Sequence, residues 1–211
     1  MERFSERIQD QLPRDFFTDA DIANVIPGSA NRRYALVKRA IAGGQLLHIR
    51  RGLYSLASRY RRGPANLFVG AQILYGPSYI SFESALSHHD WIPEAVRTIT
   101  SATSRRSRDF DTPLGRFRYS HIPCSPFLVG VAREVVDKES FWVAQPWKAI
   151  ADYVYSFKKD WTGIDPLLRS LRIEEENLKE TRKETLLALK VSYRSRRVLR
   201  FLRGVERNLG L

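Results

Sequence analysis

The chain of 211 residues contains one cysteine, one methionine and four histidines. The single cysteine, Cys124, excludes a disulfide within the chain, and so small a set of sulfur and imidazole ligands argues against a zinc site. No apolar run reaches the roughly 20 residues of a membrane-spanning helix, and the first residues lack the apolar stretch of a secretory signal. These absences predict a cytoplasmic globular protein that needs no metal or other cofactor.

Acidic residues are also missing from a long window, between Ile22 and Phe82. The same window carries a set of basic side chains: Arg32, Arg33, Lys38, Arg39, Arg50, Arg51, Arg59, Arg61 and Arg62. Over the whole chain 35 Lys and Arg oppose 23 Asp and Glu, giving a formal charge of +12. Because a solvated surface normally mixes both signs, this segregation indicates an anionic partner such as nucleic acid.

The start of the basic window has the pattern of two helices joined by a tight turn. Thr18 is the predicted N-cap of the first helix, which ends at Pro27 and Gly28. Ser29 is the predicted N-cap of the second, which extends from Ala30 to about Ala42 and ends at Gly43 and Gly44. This order of elements is that of a helix-turn-helix.

A hairpin is predicted next, in the segment LLHIRRGLYSLA at residues 46–57. Its two-residue tip, Arg51 and Gly52, sets the cross-strand pairs: Ile49 with Tyr54 and Leu47 with Leu56. A hairpin after a helix-turn-helix is typical of a winged helix-turn-helix, in which the hairpin is the wing.

The second helix of this unit should bury one side and present a basic side to DNA. Helical spacing places Tyr34, Val37 and Ile41 on the predicted buried side. The predicted DNA contacts are Asn31, Arg32 and Arg39 for the major groove, Arg33 and Lys38 for phosphates, and Arg50 and Arg51 of the wing for an adjacent minor groove or the backbone. A protein-docking unit is the alternative, since winged helices also bind proteins.

The segment from Arg59 to Pro64 has the composition of a linker, so we expect a second domain after it. Helices are predicted at 65–74, after Ser81 and at 147–157, strands at 96–103, 116–122 and 141–144, and further helices in the last third. The sequence therefore predicts an α+β protein: a winged helix-turn-helix in residues 1–60, then a mixed α/β domain in residues 65–211 with a helical C-terminus.

Two further groups of arginines are candidate nucleic-acid contacts in the second domain. Arg105, Arg106 and Arg108 fall in a segment between predicted strands, where Thr103 and Ser104 could also donate to phosphates. Arg196, Arg200 and Arg203 recur at helical spacing on one side of the last helix, and a merely solvated basic face is the alternative.

Four phrases together resemble the AbiEi-type antitoxins of bacterial type IV toxin–antitoxin systems. They are GGQLLHIRRGLYSLA, YISFESALSHHDWIPE, TSATSRRSRDFDTPLGRFRYSHI and VAQPWKAIADYVY, in that order, within a resemblance that covers roughly residues 13–160. The resemblance implies a winged helix that binds promoter DNA and represses its own operon. It also implies a second domain that counters a nucleotidyltransferase-like toxin without a stable complex.

The chain departs from the family pattern at two places. Asp90 and Trp91 stand where the family tends to have a small residue, and Trp147 stands where Pro-Glu-Lys-Ala commonly has its glutamate. The missing acid bears on the antitoxic role of the second domain more than on DNA binding.

An enzyme is the alternative reading, in the form of a nuclease that uses the winged helix to recruit substrate. Four groups of residues could supply chemistry: His88, His89 and Asp90 or else His121 and Cys124 for a metal, Asp109 and Asp111 for Mg²⁺, and Ser84, His88 and Asp152 for a serine triad. The acids lack a neighbouring lysine, and the serine lacks the Gly-x-Ser-x-Gly turn of a nucleophile. We therefore predict no catalytic residue.

Overall fold

The computed structural model describes residues 4–12, 14–94, 96–136 and 139–211, and they form an α+β protein. Contacts divide the chain into two units, Met1–Leu74 with Asp111–Gly115, and Tyr75–Phe110 with Arg116–Leu211. Among the described helices, none combines the length and the apolar character that crossing a membrane requires.

The described part of the first unit contains four α-helices and a three-stranded antiparallel sheet. Its elements are α1 (Phe4–Gln11), β1 (Phe16–Thr18), α2 (Asp19–Val25), α3 (Ala30–Ala42), β2 (Leu46–Arg50), β3 (Leu53–Leu56), a 3-10 turn (Ser58–Tyr60) and α4 (Leu67–Leu74). In the sheet, β3 lies between β1 and β2. Its core includes Ile8, Phe17, Ile22, Val37 and Leu46, contributed by α1, β1, α2, α3 and β2.

Both predicted helix caps are confirmed. The Thr18 hydroxyl accepts a hydrogen bond from the backbone N–H of Asp21, whose carboxylate in turn accepts from the Thr18 N–H, which is a capping box. The Ser29 hydroxyl accepts from the Arg32 N–H at the start of α3. The predicted extent of α3 is also confirmed.

The side of α3 that is buried differs from the prediction. Tyr34 is 71% exposed, whereas Val37 and Ala40 are buried. The buried side is centred between Val37 and Ala40, and Tyr34 lies roughly a quarter turn away from that centre. Tyr34 therefore borders the outer face of α3.

The predicted hairpin forms, with a different register. Arg50 pairs with Leu53, as the two-residue tip requires, but a bulge between His48 and Arg50 shifts the remaining pairs, so that Leu46 and not Leu47 opposes Leu56. The shift places Leu46 and Ile49 in the interior, although strict alternation would separate them.

Helix α4 belongs to the first unit, whereas the predicted boundary at residues 60–65 assigned it to the second domain. The Asn66 N–H donates to the Asp15 carboxylate at 2.8 Å. A Cβ on Gly70 would lie 2.3 Å from Cζ of the buried Phe16. Packing of α4 on β1, which no local pattern signals, moves the boundary to residue 74.

Replacing Gly70 with alanine is expected to destabilise the first unit by about 1–2 kcal/mol. Overpacking against Phe16 costs roughly 1–3 kcal/mol, and the helix propensity of alanine returns less than about 1 kcal/mol. Gly63→Ala is the matched control, since nothing lies within 4 Å of a Cβ there. Urea unfolding measures both, and equal midpoints for the two variants would contradict the packing.

The second unit is built on a six-stranded mixed sheet in the order β6-β7-β5-β4-β9-β8. Its strands are β4 (Ser78–Ile80), β5 (Thr98–Thr103), β6 (Arg108–Thr112), β7 (Gly115–His121), β8 (Val131–Val136) and β9 (Glu139–Ala144). Its helices are α5 (Phe82–His88), α6 (Pro146–Ser156), α7 (Asp165–Ser170), α8 (Glu175–Lys179), α9 (Lys183–Ser192) and α10 (Arg196–Leu209). Strands β6 and β8 were not predicted, because their residues are exposed or only partly buried and show no apolar face.

A fully buried ion pair joins helix α6 to its surroundings. Lys148 Nζ lies 2.7 Å from Asp152 Oδ1, and both side chains are inaccessible to solvent. Lys148 also donates to the Tyr193 hydroxyl at 2.7 Å. Asp152 accepts from the hydroxyls of Tyr79, Ser81 and Tyr193. The charges are thus satisfied by partners from β4, the residue before α5, α6 and the residue after α9.

Two tryptophans of the second unit lie against each other. The rings of Trp91 and Trp147 meet edge to face, with centroids 5.8 Å apart. Trp147 is buried, and its indole N–H donates to the Thr181 hydroxyl at 2.9 Å. This hydrogen bond satisfies the one polar atom of the buried ring.

Candidate nucleic-acid interface

The outer face of α3 is basic and exposed to solvent. Its exposed residues are Asn31, Arg32, Ala35, Lys38, Arg39 and Ala42, with Tyr34 at the border. Among the described residues, none of the salt bridges involves Arg32, Lys38 or Arg39. The small side chains of Ala35 and Ala42 let a flat or grooved partner approach the helix between the longer cations.

The turn before α3 holds two arginines in different ways. Gly28, at a φ of +115°, has the Arg32 stem beside it, since a Cβ there would lie 3.0 Å from Arg32 Cδ. The Arg33 guanidinium donates to the Gly28 carbonyl and thereby closes the turn between α2 and α3. Arg32 is thus exposed with its side chain beside Gly28, while Arg33, a predicted phosphate contact, is engaged with backbone.

Arg59 has a role that the sequence reading missed. Its guanidinium donates to the carbonyls of Gly43 and Gly44, at 3.2 and 3.3 Å, just after α3. A cation at this position satisfies free carbonyls and complements the negative end of the helix dipole. Because Arg59 lies about 15 residues further along the chain, no local spacing could have predicted this contact.

The hairpin tip carries Arg50 and Arg51, both exposed. Arg50 donates weakly to the Ile73 carbonyl, at 3.5 Å. Gly52 adopts a φ of +72°, which favours glycine, and a Cβ there would meet the Asp19 carboxylate at 3.1 Å. One acid therefore lies near a tip that the sequence alone showed as free of acids.

Asp19 also contacts Tyr54 of β3. Burial raises the pKa of the Tyr54 hydroxyl to about 12, and the charge and hydrogen bond of Asp19 act in the same direction. Three other acids of this unit have described partners: Asp10 with Arg62, Asp15 with Asn66, and Asp21 with Arg14 and Thr18. The outer face of α3 itself carries no acid.

The arginines around the start of β6 are largely used within the second unit. Arg105 donates to the Gly76 carbonyl at 3.2 Å and lies over the Tyr75 ring, and Arg108 lies over the Phe110 ring. Arg106 is exposed. Thr103, expected beside them as a phosphate donor, is buried and donates to the Pro77 carbonyl. The expectation that Thr103 donates to phosphates is wrong, because its side chain is buried in the interior of the second unit.

On α10 the apolar side chains of Val198, Phe201, Leu202 and Val205 are buried. Arg196 and Arg203 are exposed on the basic side. Arg200 Nη2 lies 2.9 Å from Asp160, which Arg197 also contacts. The basic side of α10 is thus partly neutralised, unlike the outer face of α3.

The groups considered for catalysis have separate partners. Ser84 donates to the Thr98 carbonyl, His88 lies 2.7 Å from Glu134, and Asp152 belongs to the buried ion pair. His121 contacts the Arg105 carbonyl, and Asp109 lies between Arg116 and Arg118. Within the described parts of the chain, no three His, Cys, Asp or Glu side chains converge as metal ligands would.

Comparison with protein-family models and with curated proteins finds no match for this chain.

Proposed function

We propose that the first unit is a winged helix-turn-helix that binds double-stranded promoter DNA, and that the chain is a cytoplasmic transcriptional autorepressor without enzymatic activity. The observation that carries the proposal is the outer face of α3, where Asn31, Arg32, Lys38 and Arg39 are exposed around Ala35 and no acid is present. Further support comes from the order α1-β1-α2-α3-β2-β3, which is the order of a winged helix.

In the proposed complex, α3 lies in the major groove. Arg32 and Arg39 offer bidentate donors to guanine, and Asn31 suits adenine. Lys38 contacts phosphates, and Arg50 and Arg51 of the wing contact the backbone or the adjacent minor groove. Arg33 is left out of this contact set because the Gly28 carbonyl holds its guanidinium.

The antitoxin role rests on the resemblance to the AbiEi family. The proposed partner is a nucleotidyltransferase-like toxin encoded beside this chain and countered without a stable complex. Co-expression with the product of the neighbouring reading frame tests this role: growth should be restored by the full chain. Toxicity that persists although the chain still binds the promoter would restrict the function to regulation.

A gel shift with the intergenic DNA upstream of the gene is the direct test. The full chain should shift this DNA in the presence of excess non-specific competitor DNA. Absence of a shift at low ionic strength would contradict the proposal, and Mg²⁺-dependent cleavage of the DNA would favour the nuclease alternative.

The affinity for this DNA should fall steeply with salt. With about three to five phosphate contacts, raising salt from roughly 50 to 200 mM should weaken binding roughly 50- to 500-fold, because counterions released from DNA drive the association. Fluorescence anisotropy at several salt concentrations gives the slope. A slope near zero would show that cations do not carry the binding.

A further inference from the structure

The last helix of the second unit presents a straight row of arginines. Arg196, Arg200, Arg203 and Arg207 are all exposed and follow one another at intervals of four, three and four residues along α10. At about 100° per residue these positions fall within roughly 60° of one another, and at about 1.5 Å per residue they extend over about 16 Å. The four side chains therefore form one continuous surface, which we call the arginine ridge.

Most of the charge on the arginine ridge is not neutralised within the described chain. Arg200 contacts Asp160 at 2.9 Å. The ridge residues that belong to none of the described ion pairs are Arg196, Arg203 and Arg207. The one acid of α10, Glu206, lies 2.5 Å from Lys190 and so has its own cation. Like charges at these spacings destabilise a helix, and an anionic partner would remove that repulsion.

Packing of the opposite side of α10 holds the arginine ridge in place. Phe201 and Val205 are buried on that side, and helices α6 and α9 contact α10. Gly204 allows the backbone to approach closely, since a Cβ at this position would lie 2.6 Å from the backbone nitrogen of Gly163. Because the backbone under the ridge is already ordered, binding of a partner requires little further ordering of the chain.

An open groove of about 840 Å³ adjoins the arginine ridge. Besides the four arginines, its lining consists of Leu199, Glu206, Gly210 and Leu211. None of these lining residues is aromatic, so the groove has no platform on which the bases of a single strand could stack. Its guanidinium groups suit phosphate oxygens, which they bind through paired N–H donors. The surface therefore fits the phosphate backbone of a duplex better than exposed bases.

We propose that the arginine ridge binds the phosphate backbone of double-stranded DNA without sequence preference. A duplex carries about one negative charge per 1.7 Å of its axis, so about 16 Å of duplex offers roughly ten phosphates to the four arginines. The ridge belongs to the second unit and is separate from α3. The choice of DNA as the source of the phosphates rests on the proposed function, whereas the ridge itself does not.

Fluorescence anisotropy of the full chain with a random-sequence DNA duplex tests the ridge. The ridge variant replaces Arg196, Arg203 and Arg207 with glutamine and leaves the pair of Arg200 with Asp160 in place. It should bind this duplex at least about tenfold more weakly at roughly 50 mM salt, with a salt slope lower by about two to three, since each phosphate contact contributes about 0.9. Its thermal midpoint should not fall, because the substitutions remove repulsion between like charges.

The matched control replaces three other exposed arginines of the second unit, Arg97, Arg133 and Arg169, with glutamine. It should lose less than about threefold in affinity, since salt screens charges that do not contact the duplex. An equal loss in the ridge and control variants would overturn the assignment, as would the absence of any binding to the random duplex at low ionic strength.

Two further comparisons separate this inference from the others. The ridge variant should still prefer promoter DNA over random DNA, because α3 is unchanged. A wild-type chain that lacks this preference but binds random DNA through the ridge would contradict the proposed function alone. Double-stranded RNA and vesicles of phosphatidylserine and phosphatidylcholine are the competing anionic partners. Ridge-dependent binding to either of them that is tighter than binding to DNA would overturn the assignment to DNA.

Discussion

Replacing Arg32 and Arg39 together with alanine is expected to abolish the sequence-specific gel shift and leave only weak, salt-sensitive binding. Each bidentate contact between an arginine and a guanine contributes about 1–3 kcal/mol of discrimination. Loss of two such contacts amounts to roughly 2–6 kcal/mol, or about 30-fold to 10⁴-fold in affinity for the operator. Both side chains are exposed and neither forms one of the described ion pairs, so the fold should persist.

The matched control removes two arginine side chains from other positions. Arg133 and Arg169 are exposed in the second unit and belong to none of the proposed contacts. The double alanine variant at these positions should keep the specific shift and lose only a small, uniform part of the affinity. Lys38→Ala should lower the salt slope by about one and leave the sequence preference unchanged. A specific shift that survives in the Arg32 and Arg39 double variant would exclude α3 as the reading helix.

Lys148→Met is expected to destabilise the second unit by about 3–5 kcal/mol, because it leaves a charged Asp152 buried without its cation. The hydroxyls of Tyr79, Ser81 and Tyr193 remain as donors to the carboxylate, but they carry no compensating charge. Urea unfolding followed by tryptophan fluorescence measures the change. A loss below about 1 kcal/mol would mean that the charge of Lys148 is not needed to keep Asp152 buried.

A second substitution separates charge from packing at this site. Lys148→Met combined with Asp152→Asn should recover at least half of the lost stability, since a neutral amide keeps hydrogen-bond partners for the three hydroxyls without a buried charge. Lys190→Met is the control at a more accessible pair, with Glu206, where the side chains are 21% and 15% exposed. It should cost less than Lys148→Met, because water screens that pair.

The parts of the fold that were predicted correctly are those that depend on neighbouring residues. Thr18 and Ser29 bond to backbone N–H groups three residues later, so their positions define where α2 and α3 begin. The two glycines after Ala42 define where α3 ends in the same local way. The predicted tip at Arg51 and Gly52 is confirmed for a related reason, since a tight turn needs a residue that accepts a positive φ.

The features that sequence reading missed are set by distant contacts. The bulge before Arg50 depends on which side chains fit the core of the first unit, so alternation alone gave the wrong partner for Leu56. Asp19 reaches the hairpin tip, and Arg59 reaches the end of α3, across stretches that no helical or strand period connects.

In the second unit, the sequence contains the spacing of the buried ion pair but does not show that the pair is buried. Lys148 and Asp152 are four residues apart, a spacing that on a helix indicates an ion pair, but the same spacing is common on solvated helices. Only the packing of β4 and Tyr193 around them shows that the pair is buried.

The distribution of the tryptophans, among them the packed pair Trp91 and Trp147, makes the two units optically distinct. All four tryptophans of the chain, Trp91, Trp142, Trp147 and Trp161, fall in the second unit, and residues 1–74 and 111–115 contain none. Indole emission therefore reports melting of the second unit alone, while far-ultraviolet circular dichroism reports both. Divergence between the two signals during heating would reveal a species in which one half of the chain has melted before the other.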